Sequence, residues 1–435
     1  MPTINSHKAG ITCLLLLIFS VFCQQVSATA AFARSTGASC KKCHTANFPR
    51  LTAKGERFML NGYQVKKKVE SGGFALDDEE PPQAGHKSKL PDVSDILSVT
   101  GQFTPLHISS TDDTPAVGEP KVVSLLATSS LGKDISLWAG VDVDHNGASL
   151  HRYQLGKTNV DESTLINFRM GTIDPTTWTS MYAHGAALES ASSGIGSYGG
   201  SHDGNTGFAT VGVGFAEKNA LEYYGYTNNW LWSFATANGG GGHDEDAVAE
   251  SNNALDYWLT TKYSFFKDNS VSLLWYKANR ESNLQSFTIA SNLRLGKLDF
   301  LTQFSIDNAG GKVDLENDGT LENDKWGFTA QFNYAASKKT MGILRFDNTD
   351  NGKKNDSLES QLTLAMVFKP EDNIKITASY VAELISSIGA GGDDQAHSHG
   401  KPGISPRAAG HDEELNTTEV KRFGDHFLVN IRYMF

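Results

Sequence analysis

The chain is poor in cysteine, proline and long apolar runs, and each shortage excludes something. Four cysteines in 435 residues are too few for a disulfide-stapled scaffold. Cys13 and Cys23 lie in a leader: His7 and Lys8 give a basic start, Ile11 to Phe22 an apolar core, and Ala28-Thr29-Ala30 a small-residue cleavage site. Residues 1–30 therefore read as a secretory signal peptide, with Ala31 as the mature N-terminus. Bulky Phe22 before Cys23 argues against lipid attachment there. The mature chain then keeps one cysteine pair, Cys40 and Cys43. No later stretch reaches the roughly 18 apolar residues of a spanning helix. Strong basic patches of the kind nucleic acid requires are also missing: 38 Lys and Arg against 49 Asp and Glu leave a net charge of −11. Twelve prolines beside 42 glycines and 13 tyrosines suit β-structure with open loops.

The surviving cysteines form Cys40-Lys41-Lys42-Cys43-His44, a C-x-x-C-H motif. Two thiols at this spacing can add to the two vinyl groups of one haem, and the adjacent imidazole reaches its iron. A redox dithiol calls for a βαβ pattern that is absent, and zinc needs a second ligand pair. A simple disulfide is the remaining alternative. The reading is one covalent haem c on Cys40 and Cys43, with His44 as proximal axial ligand.

Residues 31–70 make a small α-helical unit around this motif. Leu51 to Leu60 reads as an amphipathic helix stopped by Asn61-Gly62 in a C-cap. So small a unit needs its cofactor as core. Met59 is the candidate distal ligand and equally an ordinary packing methionine; His86 and His107 are the fallbacks, and an open position is also compatible. Lys41, Lys42, Arg50, Lys54, Arg57 and Lys66 to Lys68 make the segment basic, for an acidic partner, for haem propionates, or as a solvated face. Residues 71–93, with paired prolines and Asp77 to Glu80, read as a linker.

Residues 94–435 alternate apolar and polar in short runs, as in Trp326-Phe328-Ala330-Phe332-Tyr334, Ile374-Ile376-Ala378-Tyr380 and Val271-Leu273-Trp275. Alternation fits a soluble sandwich or a membrane barrel; connection lengths distinguish them. Short connections are expected at Gly132-Lys133, Ala216 to Asn219, Lys267-Asp268, Gly296-Lys297, Ala336 to Lys338 and Lys369 to Asn373. Long ones are expected at Pro105 to Pro120, Asp144 to Glu162, Ala237 to Asn253, Asp307 to Asp324 and Ser386 to Glu419. Alternating short and long connections mark an outer-membrane barrel, here antiparallel with about sixteen strands, one of them, Thr179 to Leu188, inferred from parity. The last run, Phe427, Val429, Ile431, Tyr433 and Phe435, resembles the C-terminal strand of bacterial outer-membrane proteins. The fold class is mainly β, with a small α-helical cytochrome segment in front.

Phe32-Ala33-Arg34-Ser35-Thr36-Gly37, Cys40 to His44, Phe48-Pro49-Arg50-Leu51, Gly55, Phe58 and Gly62-Tyr63 together resemble the fused outer-membrane monohaem cytochrome–porins of iron-oxidising bacteria. The resemblance covers Phe32 to Tyr63 specifically and the rest by architecture. It implies an iron oxidase that takes electrons from extracellular Fe(II) and passes them to periplasmic cytochrome c, with Cys40, Cys43 and His44 holding the haem. Physical reasoning adds that an apolar band of about 25 Å is too thick for one tunnelling step. A small unit inside a wide barrel would both shorten the path and plug the lumen. An electron-exporting cytochrome, and a transport porin with a gating or structural haem, are the competing functions.

Candidate Fe(II) ligands crowd two loops: Asp393, Asp394, His397, His399, His411, Asp412 and Glu413 in one, His243 to Asp246 in the other. Carboxylates with imidazole suit Fe(II), and acidic loops are equally an ordinary solvated surface. Asp142 to Gly147 and Asp314 to Gly319 match calcium loops in part. Both lack the twelfth-position glutamate, having Tyr153 and Lys325 there.

Overall fold

The computed structural model describes Phe32 and residues 39–45, 50–64, 97–109, 116–130, 134–144, 147–160, 164–181, 218–238, 255–266, 269–278, 285–308, 325–350, 358–371, 374–386 and 426–434. The signal peptide, the linker, His86 and the loop residues Asp393, Asp394, His397 and His399 lie outside this set, as do His243 to Asp246 and Asp314 to Gly319.

Two short helices come first, α1 (Cys40–Cys43) and α2 (Ala53–Leu60). Sixteen strands follow: β1 (Leu97–Ser109), β2 (Ala116–Ser130), β3 (Ile135–Asp144), β4 (Gly147–Lys157), β5 (Asn167–Ile173), β6 (Lys218–Tyr226), β7 (Trp230–Asn238) and β8 (Leu255–Phe265). The second half is β9 (Asn269–Lys277), β10 (Gln285–Leu295), β11 (Leu298–Asn308), β12 (Lys325–Ala335), β13 (Thr340–Asp350), β14 (Leu358–Phe368), β15 (Ile374–Ser386) and β16 (His426–Met434). Each pairs antiparallel with its sequence neighbours, and β16 pairs with β1 to close the barrel. Closure leaves no unpaired edge.

Alternation sorts the side chains as the strand period requires. On β8, Asp256, Trp258, Thr260 and Lys262 are buried inside, while Leu255 and Leu259 are exposed outside. The outer face carries aromatic residues near both ends. Trp230 packs tilted against Tyr263 (4.8 Å) at one end, and Phe304 stacks on Trp326 (6.3 Å) at the other. An apolar outer band between aromatic girdles is the pattern of barrels immersed in lipid. Among the described residues no helix is long and apolar enough to cross a membrane.

Connections at one end are short, as at 227–229 and 296–297; those at the other include 174–217 and 387–425. Three expected boundaries need correction. Pro105 and Pro120 sit within β1 and β2 rather than bounding a loop, because both fall at register shifts where a missing N–H is tolerated. The expected loop Asp144 to Glu162 contains β4, and Asp144 pairs directly with Gly147, so Asp142 to Asp144 and Gly147 to Tyr153 are paired strand rather than a calcium loop. The short connection expected at Ala216 to Asn219 is instead the end of 174–217, with β6 already begun at Lys218. Of the inferred strand Thr179 to Leu188, residues 179–181 are turn and the rest lie outside the described set.

Candidate functional site

The C-x-x-C-H motif is folded by its own neighbours. Cys40 and Cys43 bracket the single turn of α1, and His44 forms a backbone bridge with Leu51. Thr45 N–H donates to the Arg50 carbonyl (2.9 Å), and Thr52 N–H to that of Cys43 (2.9 Å). Thr52 is also the N-cap of α2: its hydroxyl accepts from Gly55 N–H (3.2 Å) and donates to the Lys42 carbonyl (2.9 Å). One threonine therefore starts the helix and ties it to the motif, which is why α2 begins at Ala53 and not at Leu51. Gly55 faces the Cys43 carbonyl so closely that a Cβ would collide with it. The helix ends as its sequence predicts. Gly62 N–H bonds the Met59 carbonyl (3.0 Å) and Tyr63 N–H that of Phe58 (2.8 Å), with Gly62 at φ 66°. This is a Schellman cap, and the Phe58 and Tyr63 rings meet beside it at 6.0 Å. Phe32 stacks on Tyr63 at 5.0 Å.

This unit is fastened inside the barrel, at the short-turn end. Arg50 donates to Asp299 at the start of β11 (2.5 Å) and to Asn292 near the end of β10 (2.7 Å). Glu56 pairs with Lys262 of β8. Tyr224 of β6 donates to the Leu60 carbonyl (3.0 Å), and Tyr226 to the Asn61 side chain. Gln64 bonds the Ile135 carbonyl (3.1 Å) and the Asp134 N–H (3.3 Å) at the start of β3. Every one of these wall residues lies beside a short turn. Of the basic residues, Arg50 thus serves the barrel wall. Arg57 is pulled down to about 10 by burial, opposed by Tyr226 and Glu56, and stays charged at neutral pH.

A second element enters the lumen. After β5 the chain turns inward over residues 174–181, held by Asp174 accepting from Thr176 N–H and hydroxyl (both 2.7 Å). Ser180 N–H then donates to Ser272 of β9 (2.7 Å). Trp178, 1 % exposed, packs on Tyr224 (5.1 Å) and under the Arg169 guanidinium (4.5 Å), and its N–H donates to Glu222 (3.1 Å). Met59 and Leu60 pack with Trp178, Tyr224 and Leu231. The sequence reading missed Arg169, Glu222 and Trp178. The available signal was a lone charge at an inward position of an alternating strand, as in Asn167-Phe168-Arg169-Met170.

Inward residues of β5–β11 include an apolar cluster around Trp258, Leu274 and Tyr276, joined by Met181, set among buried polar residues such as Asp256, Thr260, Ser272 and Gln303. Those of β12–β15 are mainly polar, including Thr329, Gln331, Arg345, Asp347, Thr377 and Ser379, beside a small apolar cluster of Met341, Ile343 and Val367.

No family model matches the chain, and no curated protein matches it in sequence. Among solved structures, OmpF of Salmonella typhi (a complex with daunomycin) aligns with TM-score 0.51 and 10 % identity, over 78 % of this chain and 97 % of that one. The anion-selective porin of Comamonas acidovorans aligns with TM-score 0.50 and 12 % identity, over 78 % and 99 %. The chain has a porin-type barrel fold. At these identities the likeness extends to fold alone.

The motif fits a covalent haem. Cys43 forms no disulfide, His44 follows directly and is half-buried, and the turn is clamped by backbone bonds that leave the residue spacing intact. Met59, the candidate distal ligand, is half-buried among the inner-wall aromatics. His107 lies on β1 toward the β1–β2 connection, at the barrel end opposite the motif. Among the described residues no group of three or more His, Cys, Asp or Glu could hold a metal ion.

Proposed function

We propose that this chain is an outer-membrane cytochrome–porin that oxidises extracellular Fe(II) and passes electrons to a periplasmic cytochrome c. One haem c would be attached at Cys40 and Cys43, with His44 as proximal ligand. When bound, the haem supplies one-electron chemistry: each Fe(II) leaving as Fe(III) delivers one electron, which then moves to the acceptor. The apolar outer band supports a place in the membrane. Short turns face the periplasm in such barrels, so the motif lies at the periplasmic mouth.

The observation that carries the reading is the fastening of the Cys40–His44 turn, through α2, to the inner wall at that mouth. The segment reaches across the lumen from β3 to β10 and β11 and residues 174–181 enter beside it, an arrangement that supports passage of electrons over passage of solutes. The chain's own contributions are two. Thr52 and Gly55 hold the turn in shape, and Arg50 and Glu56 fix its depth in the barrel.

An anaerobic visible spectrum of the purified oxidised protein, before and after adding Fe(II) near neutral pH, tests this. Prompt appearance of reduced c-type bands is expected. A haem that stays oxidised with Fe(II) but is reduced by dithionite would point to electron export. Absence of covalent haem would refute the reading.

A further inference from the structure

We infer that Arg169 receives a carboxylate of the haem, in a small pocket between α2 and the barrel wall; this rests on the haem attachment proposed above. The pocket has a volume of about 20 Å³ and is bordered by Met59, Gly62 and Tyr63 on one side and by Ser136, Arg169 and Trp178 on the other. One water needs about 10–15 Å³, so the space takes little more than the oxygens of one small polar group. Arg169 is 7 % exposed. Its Nε is spent on Glu222 and its face on Trp178, while its Nη2 is buried with no hydrogen-bond partner.

A buried guanidinium N–H without a partner is costly, and the guanidinium edge is shaped to hold a carboxylate. No carboxylate of the described chain fills that role, since Glu222 already bonds Arg169 Nε and the Trp178 N–H. Haem chemistry supplies one. The two carboxylates of haem lie away from the vinyl groups, so attachment at Cys40 and Cys43 directs them away from the motif. Helix α2 links the two places. Gly55 abuts the Cys43 carbonyl and Met59 borders the pocket, about 6 Å apart along the helix at 1.5 Å per residue. Arg169 is then a positioning residue. It fixes the far edge of the haem and adds a positive charge that favours the reduced state.

The test is spectroelectrochemical titration of the full-length, haem-loaded protein and of Arg169→Gln, each from pH 5 to 8. Covalent haem content is measured alongside by mass spectrometry. The inference predicts unchanged haem attachment in Arg169→Gln and a roughly tenfold shift toward the oxidised form, 59 mV for one electron. It also predicts that the carboxylate-linked pH dependence of the potential moves upward in pH. Should Arg169→Gln fail to assemble, Arg169→Lys serves; keeping the charge while losing the planar fork, it must still move the pH dependence. Covalent haem with a potential and pH profile identical to wild type would overturn the Arg169 assignment while leaving the haem reading intact. Loss of covalent haem in the unmodified protein would overturn both. A wild-type potential that moves with added phosphate, and ceases to in the variant, would assign the pocket to a soluble anion and overturn the haem carboxylate.

Discussion

Replacing Arg50 with alanine tests whether the N-terminal segment is held in the lumen by its ion pairs. Arg50 and Asp299 side chains are 6 % and 7 % exposed and 2.5 Å apart. Removing one partner of a buried pair costs about 3–5 kcal/mol. Here Arg294 also bonds Asp299, at 2.5 Å, so Asp299 is left with one cation and the expected cost falls to about 2 kcal/mol. At 1.4 kcal/mol per tenfold, that raises the population with the segment displaced by roughly 30-fold. Planar-bilayer recordings measure it: wild type should be closed nearly throughout, and Arg50→Ala should show frequent openings of porin-like conductance. Asp299→Asn alone and combined with Arg50→Ala completes a double-mutant cycle. An open probability in Arg50→Ala equal to wild type, with no coupling energy between the two residues in the cycle, would refute the idea that this pair fastens the plug.

Three further outcomes follow from the geometry. Gly55→Ala places a methyl against the Cys43 carbonyl, so the motif turn must shift; covalent haem per chain, measured by mass, should drop well below the wild-type level, and full loading would contradict the close packing. Met59→Ala should loosen the contact with Trp178 and Leu231, lowering stability by about 2 kcal/mol with the haem potential unmoved. A clear fall in potential would instead identify Met59 as the distal ligand. Leu273, on the outer face of β9, should resist charge: Leu273→Lys is expected to reduce folding into vesicles by about 2–4 kcal/mol near the bilayer midplane, and wild-type folding yield would argue against lipid contact there.

Short-range signals carried much of this protein into its sequence. C-x-x-C-H is a spacing of five residues, the Asn61-Gly62 stop is a local backbone preference, and the runs Trp326 to Tyr334 and Ile374 to Tyr380 announce their two faces by period. The alternation of connection lengths pointed to a closed barrel of sixteen strands, because hairpin order is itself sequential. It misled at Pro105 and Pro120, whose turn-like chemistry is absorbed by bulges, and at Thr179, where parity was asked to supply a strand.

What only the tertiary structure decided is long-range. Arg50 and Asp299 are 249 residues apart, and Glu56 and Lys262 are 206 apart. No local pattern says which inward charge meets which. Closing the barrel brings the starts and ends of successive strands to a common rim, and only then do β3, β6, β8, β10 and β11 present one ring of partners to the motif-bearing segment. The same closure buries Trp178 against Tyr224 and Glu222 and sets Arg169 at the edge of a pocket with its Nη2 unpartnered. The sequence by itself determined the spacing of the motif and the kind of barrel; depth, orientation and the company of the motif came from closure, since contacts across a lumen depend on where strands end in space and not on their order in the chain.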